Sequence, residues 1–476
     1  MAATQLGAAQ RPEKVGAEKA RRSWILLTMC LGILIAQVDT SVVNLALAPI
    51  GKALSAPVSV LQWVIDAYNL VYASLLLTAG TLADLYGRRR IFALGVAIFT
   101  ISSLICGFAP DEVTLIAGRA LSGLGAALLV PTSLAILAVT YEDAAERAHA
   151  IGIWASCYGV ALAIGPSLGG FLVSGAGWRS IFLMIVPFAL VALGLTLRVL
   201  PESRDPDGRQ LDMPGQSLAV VTLVLLTLAA IEGPHWSAPV TLACIAIAIA
   251  IVAGAAFLVV EARTEGALLP LPIFKRRGLA VAMAVASLMT FGMYGMLFLV
   301  PLYLQQLRGA SVIAAGLELL PLSILYVIVS HRSGPLATKF GARAAMTGGM
   351  GAMGIGLLLL SFVTADTSLY AIELYLAILG IGLGLNTGPV NSVAVASVPP
   401  GRSGTASGLL NTARMVGATL GVALMGTVFA HYSGQGSPSA FTTGLRAALW
   451  IGGAGELLGA LVAFIGVRGD ALTRRE

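Results

Sequence analysis

The stretch Gly80-Thr81-Leu82-Ala83-Asp84-Leu85-Tyr86-Gly87-Arg88-Arg89-Arg90 is a short, charged, glycine-marked turn between two long apolar runs. A second copy, Gly334-Pro335-Leu336-Ala337-Thr338-Lys339-Phe340-Gly341-Ala342-Arg343, lies at a constant offset of 254 residues. At that offset Gly80 matches Gly334, Leu82 matches Leu336, Ala83 matches Ala337, Gly87 matches Gly341 and Arg89 matches Arg343. Five identities in equivalent places between apolar runs indicate an internal duplication. Both copies fall on the same side of equivalent helix pairs, so the halves are expected to be parallel repeats about an axis along the membrane normal, with the substrate path between them.

The composition agrees with a membrane setting. Only 11% of the 476 residues are charged and 57% are hydrophobic, with a mean hydropathy of +0.89. A soluble domain carries roughly 25% charged residues to coat its surface, so a soluble enzyme is excluded. The 55 glycines are an excess that suits close helix packing in lipid. All four cysteines (Cys30, Cys106, Cys157, Cys244) sit inside apolar runs and read as small core residues, not as a disulfide framework.

A spanning helix needs roughly 20 apolar residues, and the chain offers fourteen such runs. The predicted fold is an all-α polytopic membrane protein of two six-helix bundles with an inserted two-helix hairpin. The expected organisation is a tail at 1–23, a first bundle at 24–199, a linker at 200–214 and the hairpin at 215–260. A second linker at 261–278, a second bundle at 279–467 and a tail at 468–476 complete it. With the N-terminus inside, 23 of the 29 basic residues fall on the cytoplasmic side and four outside. That split satisfies the positive-inside tendency and predicts a multi-pass protein of the cytoplasmic membrane with both termini in the cytoplasm. The net charge of +6 then faces an anionic leaflet of membrane lipids, and gives no reason to expect a nucleic-acid partner.

Three ionisable residues fall deep in apolar runs: Asp39 in span 1, Asp66 in span 2 and Arg119 in span 4. A charge at the bilayer centre costs about 2.5–3.5 kcal/mol even on translocon scales, so each needs a reason and should face the bundle interior. Burial penalises the charged form of a carboxyl group, which suits a group that exchanges a proton during transport, with a nearby guanidinium to drive release. The alternative is that these residues only fix helix packing. Glu318, Glu373 and Glu456 are placed near span ends, within reach of water, and Arg414 is expected to snorkel toward lipid headgroups. No histidine has a partner at metal-binding spacing, so no metal is expected. Span 5 contains Gly165-Pro166-Ser167-Leu168-Gly169-Gly170, where proline removes a backbone hydrogen bond and glycine permits a bend or a close neighbour. It suits a hinge or a tight contact between halves.

These segments together resemble the major facilitator superfamily, and within it the fourteen-helix drug:proton antiporter-2 family. Gly80-x-Leu82-Ala83-Asp84-x-x-Gly87-Arg88-Arg89 is similar to the family's motif after helix 2, and Asp39-Thr40-x-Val42-Val43-Asn44-x-Ala46 with Pro49 to its helix 1 motif. Arg119-x-x-x-Gly123-x-Gly125-Ala126-Ala127 resembles the helix 4 motif, Gly165-Pro166-x-x-Gly169-Gly170 the antiporter motif of helix 5, and Trp178-Arg179-x-Ile181-Phe182 the entry to helix 6. The resemblance implies alternating access driven by inward proton flow, with no cofactor besides the coupling protons. It implies a conformational latch at Gly80, Asp84, Gly87, Arg88 and Arg89, proton coupling through Asp39, Asp66 and Arg119, and an antiporter bend at Gly165, Pro166, Gly169 and Gly170. Leu85 departs from the family's pattern and leaves the latch to Asp84 and Arg88, Ser122 departs from it in helix 4, and Thr338 takes the acidic position of the second loop copy, so only the first copy carries the full latch.

The expected activity is proton-coupled export of small amphipathic compounds, cationic or aromatic drugs among them. Acidic residues would attract cations, and Trp63, Tyr68, Trp154, Phe291, Tyr294 and Phe298, with Glu318, are the candidate cavity residues. A narrow exporter of one endogenous metabolite is the alternative. A polytopic enzyme would need a convergent nucleophile–base set or a metal site. The chain is expected to work as a monomer.

Overall fold

The computed structural model describes residues 2–205, 211–235, 238–264, 269, 271, 277–399, 403–433 and 437–467, without the side chains of 2–17, 144, 148, 235, 239 and 403. The tail at 468–476, much of the linker at 261–278 and residues 206–210 lie outside the described residues.

Among the described residues, fourteen helices are long and apolar enough to cross a membrane. They are α1 (Glu18–Leu54), α2 (Val58–Tyr86), α3 (Arg88–Gly107), α4 (Glu112–Thr140), α5 (Ala145–Ala176), α6 (Ser180–Val199) and α7 (Met213–Ile231). After them come α8 (Val240–Arg263), α9 (Arg277–Leu307), α10 (Val312–Phe340), α11 (Ala342–Leu360), α12 (Leu369–Ala396), α13 (Gly404–Ser433) and α14 (Pro438–Gly466). Apolar side chains such as Ile249, Ile251 and Val252 on α8, and Leu461 and Ile465 on α14, face outward, as a lipid solvent requires.

The duplication read from the sequence is a repeated backbone device. A single residue joins α2 to α3 and another joins α10 to α11: Gly87 (φ +107°) and Gly341 (φ +85°). Both occupy the left-handed region, where a Cβ is strained. At Gly87 a Cβ would also stand 2.7 Å from the Glu202 carboxyl carbon. The helix packing repeats as well. The pairs α1·α5, α2·α4, α3·α4 and α3·α6 have their counterparts in α9·α13, α10·α12, α11·α12 and α11·α14.

Among the described residues, the first six and last six helices meet where α2 packs on α13, α5 on α10, and α1 on both α9 and α10. The hairpin lies across one of these seams. Its α7 packs on both α2 and α13, while α8 packs behind α7. Gln216 of α7 accepts from Thr78 and donates to the Ser74 carbonyl at 2.6 Å, both on α2. Cys244 on α8 is exposed, not a core residue as its apolar surroundings suggest.

Candidate functional site

A cavity of about 450 Å³ lies between the halves. The first half contributes Gln37, Thr40, Ser41 and Asn44 of α1, Tyr72 of α2, and Trp154 and Tyr158 of α5. Across from them stand Met289, Met293 and Tyr294 of α9, Tyr326 of α10, Thr387 and Asn391 of α12, and Asn411 and Arg414 of α13. The size and the mixture of apolar walls with a few polar groups are those of a small-molecule site.

Toward the end of the bundle away from Gly87 and Gly341, the halves close on each other. Gln62 of α2 donates to the carbonyls of Val422 (3.2 Å) and Ala423 (2.8 Å) on α13. Gln305 of α9 donates to the Leu45 carbonyl of α1 at 3.0 Å. The glycines of α5 make the third contact possible. A Cβ on Gly170 would stand 2.9 Å from the Ile313 Cα of α10, and the Pro166 carbonyl lies against Gly316. Gly165 and Gly169 face the other way, against Ser41 and Val42 of α1. The helix continues through Pro166, so the Gly165–Gly170 segment here is a two-sided close contact.

One layer behind the cavity, Arg119 Nη1 donates to Asp39 Oδ2 at 2.5 Å, with both side chains buried. Arg119 Nε donates to the Val64 carbonyl at 2.9 Å, and its guanidinium lies 4.7 Å from the Tyr68 ring centre. The charge of Arg119 is thus balanced and fully engaged. Asp39 and the cavity-lining Thr40 are consecutive on α1, so one turn of helix carries the ion pair on one face and the cavity wall on the other. Asp66 is also completely buried, and neither of its oxygens has a hydrogen-bond partner among the described residues.

At the glycine-turn end, Arg88 pairs with Asp84 at 2.8 Å. The following linker folds onto this loop. Arg88 N–H donates to the Ser203 carbonyl, Asp205 N–H to the Asp84 carbonyl, and Arg89 N–H to Glu202 Oε1 at 3.1 Å. Gly80 faces Pro131 of α4. Every partner described for Asp84, Arg88 and Arg89 lies in the first half or the linker after it.

Of the residues proposed from sequence for the cavity, Trp154 and Tyr294 line it. The others stand elsewhere. Trp63 donates to Glu232 at the end of α7 (2.7 Å), Tyr68 packs beside Arg119, and Phe298 is core. Phe291 lies against Gly421 and Gly455 within the second half, and Glu318 is at the far end of α10. Two expectations are corrected. Arg414 does not snorkel to headgroups but lines the cavity, because the polar residues Ser407, Asn411 and Arg414 share one face of α13. Glu456 is not near water: it is fully buried, with neither oxygen partnered among the described residues, against Gly292 of α9. Both positions were readable from neighbours at helical spacing, since Gly452, Gly453 and Gly459 mark the buried face on which Glu456 lies. Nor is the cavity lined by acidic groups, since neither Asp39 nor Asp66 is among its lining residues.

A sequence model of the Major Facilitator Superfamily matches residues 29–422 and 333–472. The chain belongs to that superfamily. The multidrug resistance protein Stp of Mycobacterium tuberculosis is 37% identical over 409 residues, 86% of this chain and 76% of its own. The methylenomycin A resistance protein of Bacillus subtilis is 35% identical over 420 residues, 87% of this chain and 89% of its own. The multidrug efflux pump LfrA of Mycolicibacterium smegmatis is 33% identical, covering 86% and 82%. These relatives bear out the resemblance read from the motifs. Solved superfamily structures share the fold. A bacterial homologue of the human lysosomal transporter Spinster, inward-facing and unoccupied, aligns with a TM-score of 0.66 at 20% identity over 94% of this chain and 97% of its own. The xylose transporter XylE from E. coli, partially occluded and inward open, gives 0.66 at 16% identity over 96% and 100%. As a superfamily member with fourteen candidate spans, the chain is a multi-pass membrane protein.

Proposed function

We propose that this protein is a proton-coupled antiporter that exports small amphipathic molecules across the bacterial cytoplasmic membrane by alternating access. The carrying observation is the cavity between the two halves, lined by both and closed at one end by Gln62, Gln305 and Gly170. The distribution of basic residues favours a cytoplasmic position for both termini and for the glycine turns, which makes this an arrangement closed toward the outside. Superfamily relatives that confer drug and antibiotic resistance support the direction of transport.

In this reading the coupling protons exchange on Asp39 and Asp66. Arg119 competes with a proton for Asp39, so moving α1 against α4 changes the proton affinity of the carboxylate. Rearrangement of α1 carries that change to the cavity wall through Gln37, Thr40, Ser41 and Asn44. The Asp84–Arg88 pair would act as the latch when the cytoplasmic end closes, and α5 slides on α10 along its glycine face.

The test is uptake of a fluorescent dye such as ethidium into inverted membrane vesicles under an imposed proton gradient. Gradient-dependent uptake, collapsed by a protonophore and absent from vesicles lacking the protein, is expected. Uptake that persists without the gradient would overturn proton coupling.

A further inference from the structure

The cavity holds one fixed charge, and it is positive. Among its described lining residues there is no Asp or Glu, while Arg414 of α13 stands in its wall. Arg414 Nη1 donates to Asn411 Oδ1 at 3.2 Å, but Nε and Nη2 are shielded from solvent and have no partner among the described residues. The other arginine of the bundle interior makes the comparison. Arg119 has a carboxylate, a carbonyl and an aromatic face, leaving little of its charge to offer a ligand. A guanidinium stays charged at any physiological pH, and leaving it unpaired away from water is costly. Packing does not explain it, because the α13–α9 contact at this level uses the backbone: Thr290 donates to the Arg414 carbonyl at 2.6 Å.

The surroundings describe the rest of the ligand. The phenols of Tyr158, Tyr294 and Tyr326 are the electrostatic neighbours of Arg414, from α5, α9 and α10. Phenol hydroxyls can donate to the same acceptor as the guanidinium, and they come from both halves of the molecule. Beyond them the wall mixes neutral polar groups such as Thr40, Asn44 and Asn391 with the apolar Met289, Met293 and Leu297. A small inorganic anion would leave most of that wall and volume unused.

We propose that Arg414 is the recognition group of the transport cavity, and that the preferred cargo is an amphipathic organic acid, its carboxylate held by the Arg414 guanidinium, turned toward the cavity, and by the phenols. This deepens the exporter reading and rests on it. It also reverses the charge expected of the cargo from sequence, because the acidic side chains that prompted that expectation are not among the lining residues. A guanidinium donating through two nitrogens binds a carboxylate in fork geometry.

The experiment compares uptake of fluorescein and of fluorescein methyl ester, which share a ring system and differ by the carboxylate, into inverted vesicles under a proton gradient. Ethidium is measured alongside. The wild-type protein is expected to prefer the acid by about tenfold or more, the worth of one charge-assisted hydrogen bond. Arg414→Gln is expected to bring the acid-to-ester ratio close to one, and Arg414→Lys to keep part of the preference. The wild-type ratio needs no variant, so it stands even if a substitution impairs folding. Gradient-driven uptake with a ratio near one, or a ratio unchanged in a well-folded Arg414→Gln, overturns the assignment and leaves the exporter reading intact. No gradient-driven uptake of any of the three dyes overturns both.

Discussion

Arg119 of α4 grips Asp39 of α1 at 2.5 Å, while on the same α2 segment that supplies its Val64 carbonyl partner, Asp66 is buried with no ion-pair partner among the described residues. The two carboxyl groups sit in opposite electrostatic situations, one balanced by a cation and the other by no described cation. Substituting each should therefore separate the stability of the bundle from its coupling.

Asp39→Asn leaves the Arg119 charge buried without its counter-ion. Breaking a buried pair by removing one partner costs about 3–5 kcal/mol, so the variant should melt at a clearly lower temperature in detergent and lose gradient-driven uptake. The double variant Asp39→Asn/Arg119→Gln should recover much of the thermal stability without recovering coupling. A double variant that pumps normally would remove this pair from the coupling mechanism.

Asp66→Asn replaces an unpartnered carboxyl group by a neutral amide of similar shape. Thermal stability should hold or rise, since no described bond is lost and a potential charge is removed from a dry site. Proton-driven uptake should disappear while substrate exchange across vesicles without a gradient continues. Unaltered gradient-driven uptake would exclude Asp66 as a coupling site.

The glycines of α5 can be tested against each other. A Cβ at Gly170 meets the backbone of Ile313 and Val312 across the interface between halves, at 2.9 and 3.1 Å, whereas at Gly175 nothing lies within 4 Å. Gly170→Val should wedge the halves apart and lower the transport rate by about tenfold or more, in line with the roughly 1–3 kcal/mol cost of overpacking. Gly175→Ala should transport within about twofold of wild type, because it packs against nothing. Equal behaviour of the two would mean that α5 and α10 do not need to meet this closely.

The architecture was largely legible in the residues because lipid imposes long apolar runs and the duplication leaves its mark where the backbone demands glycine. Gly87 and Gly341 are such marks, since their φ values tolerate little else. The ion pair was half legible: Asp39 and Arg119 are each conspicuous in an apolar helix, but their union across 80 positions is a fact of packing. Cavity membership was not legible from residue type. Tyr68 and Phe298 are as aromatic as Tyr294, and what separates them is helix rotation, which Tyr68 spends on Arg119 and Phe298 on the core. Depth along α13 alone does not place Arg414; the face it shares with Ser407 and Asn411 does.

The hairpin offers the last test. Its far end is tied to both halves: Trp63 of α2 donates to Glu232 at 2.7 Å, and Thr427 of α13 donates to the Ala230 carbonyl at 2.8 Å. Since α2 and α13 belong to opposite halves and meet through Gln62, the end of α7 straps the closed side of the cavity. Opening that side must part α2 from α13, and with them at least one of these bonds. Removing the Trp63 bond in Trp63→Phe, which leaves the direct Gln62–Thr427 contact between α2 and α13 in place, should shift the balance toward the open arrangement by roughly 1.5–3 kcal/mol, one hydrogen bond to a carboxylate. The reporter is a cysteine at Val422, buried beneath Gln62 in the closed arrangement, in a chain where the exposed Cys244 is replaced by serine. An impermeant maleimide applied to the outer face should label it at least fivefold faster in the strap variant than with the strap intact. Equal labelling rates would show that the hairpin rides on the bundle without holding it closed.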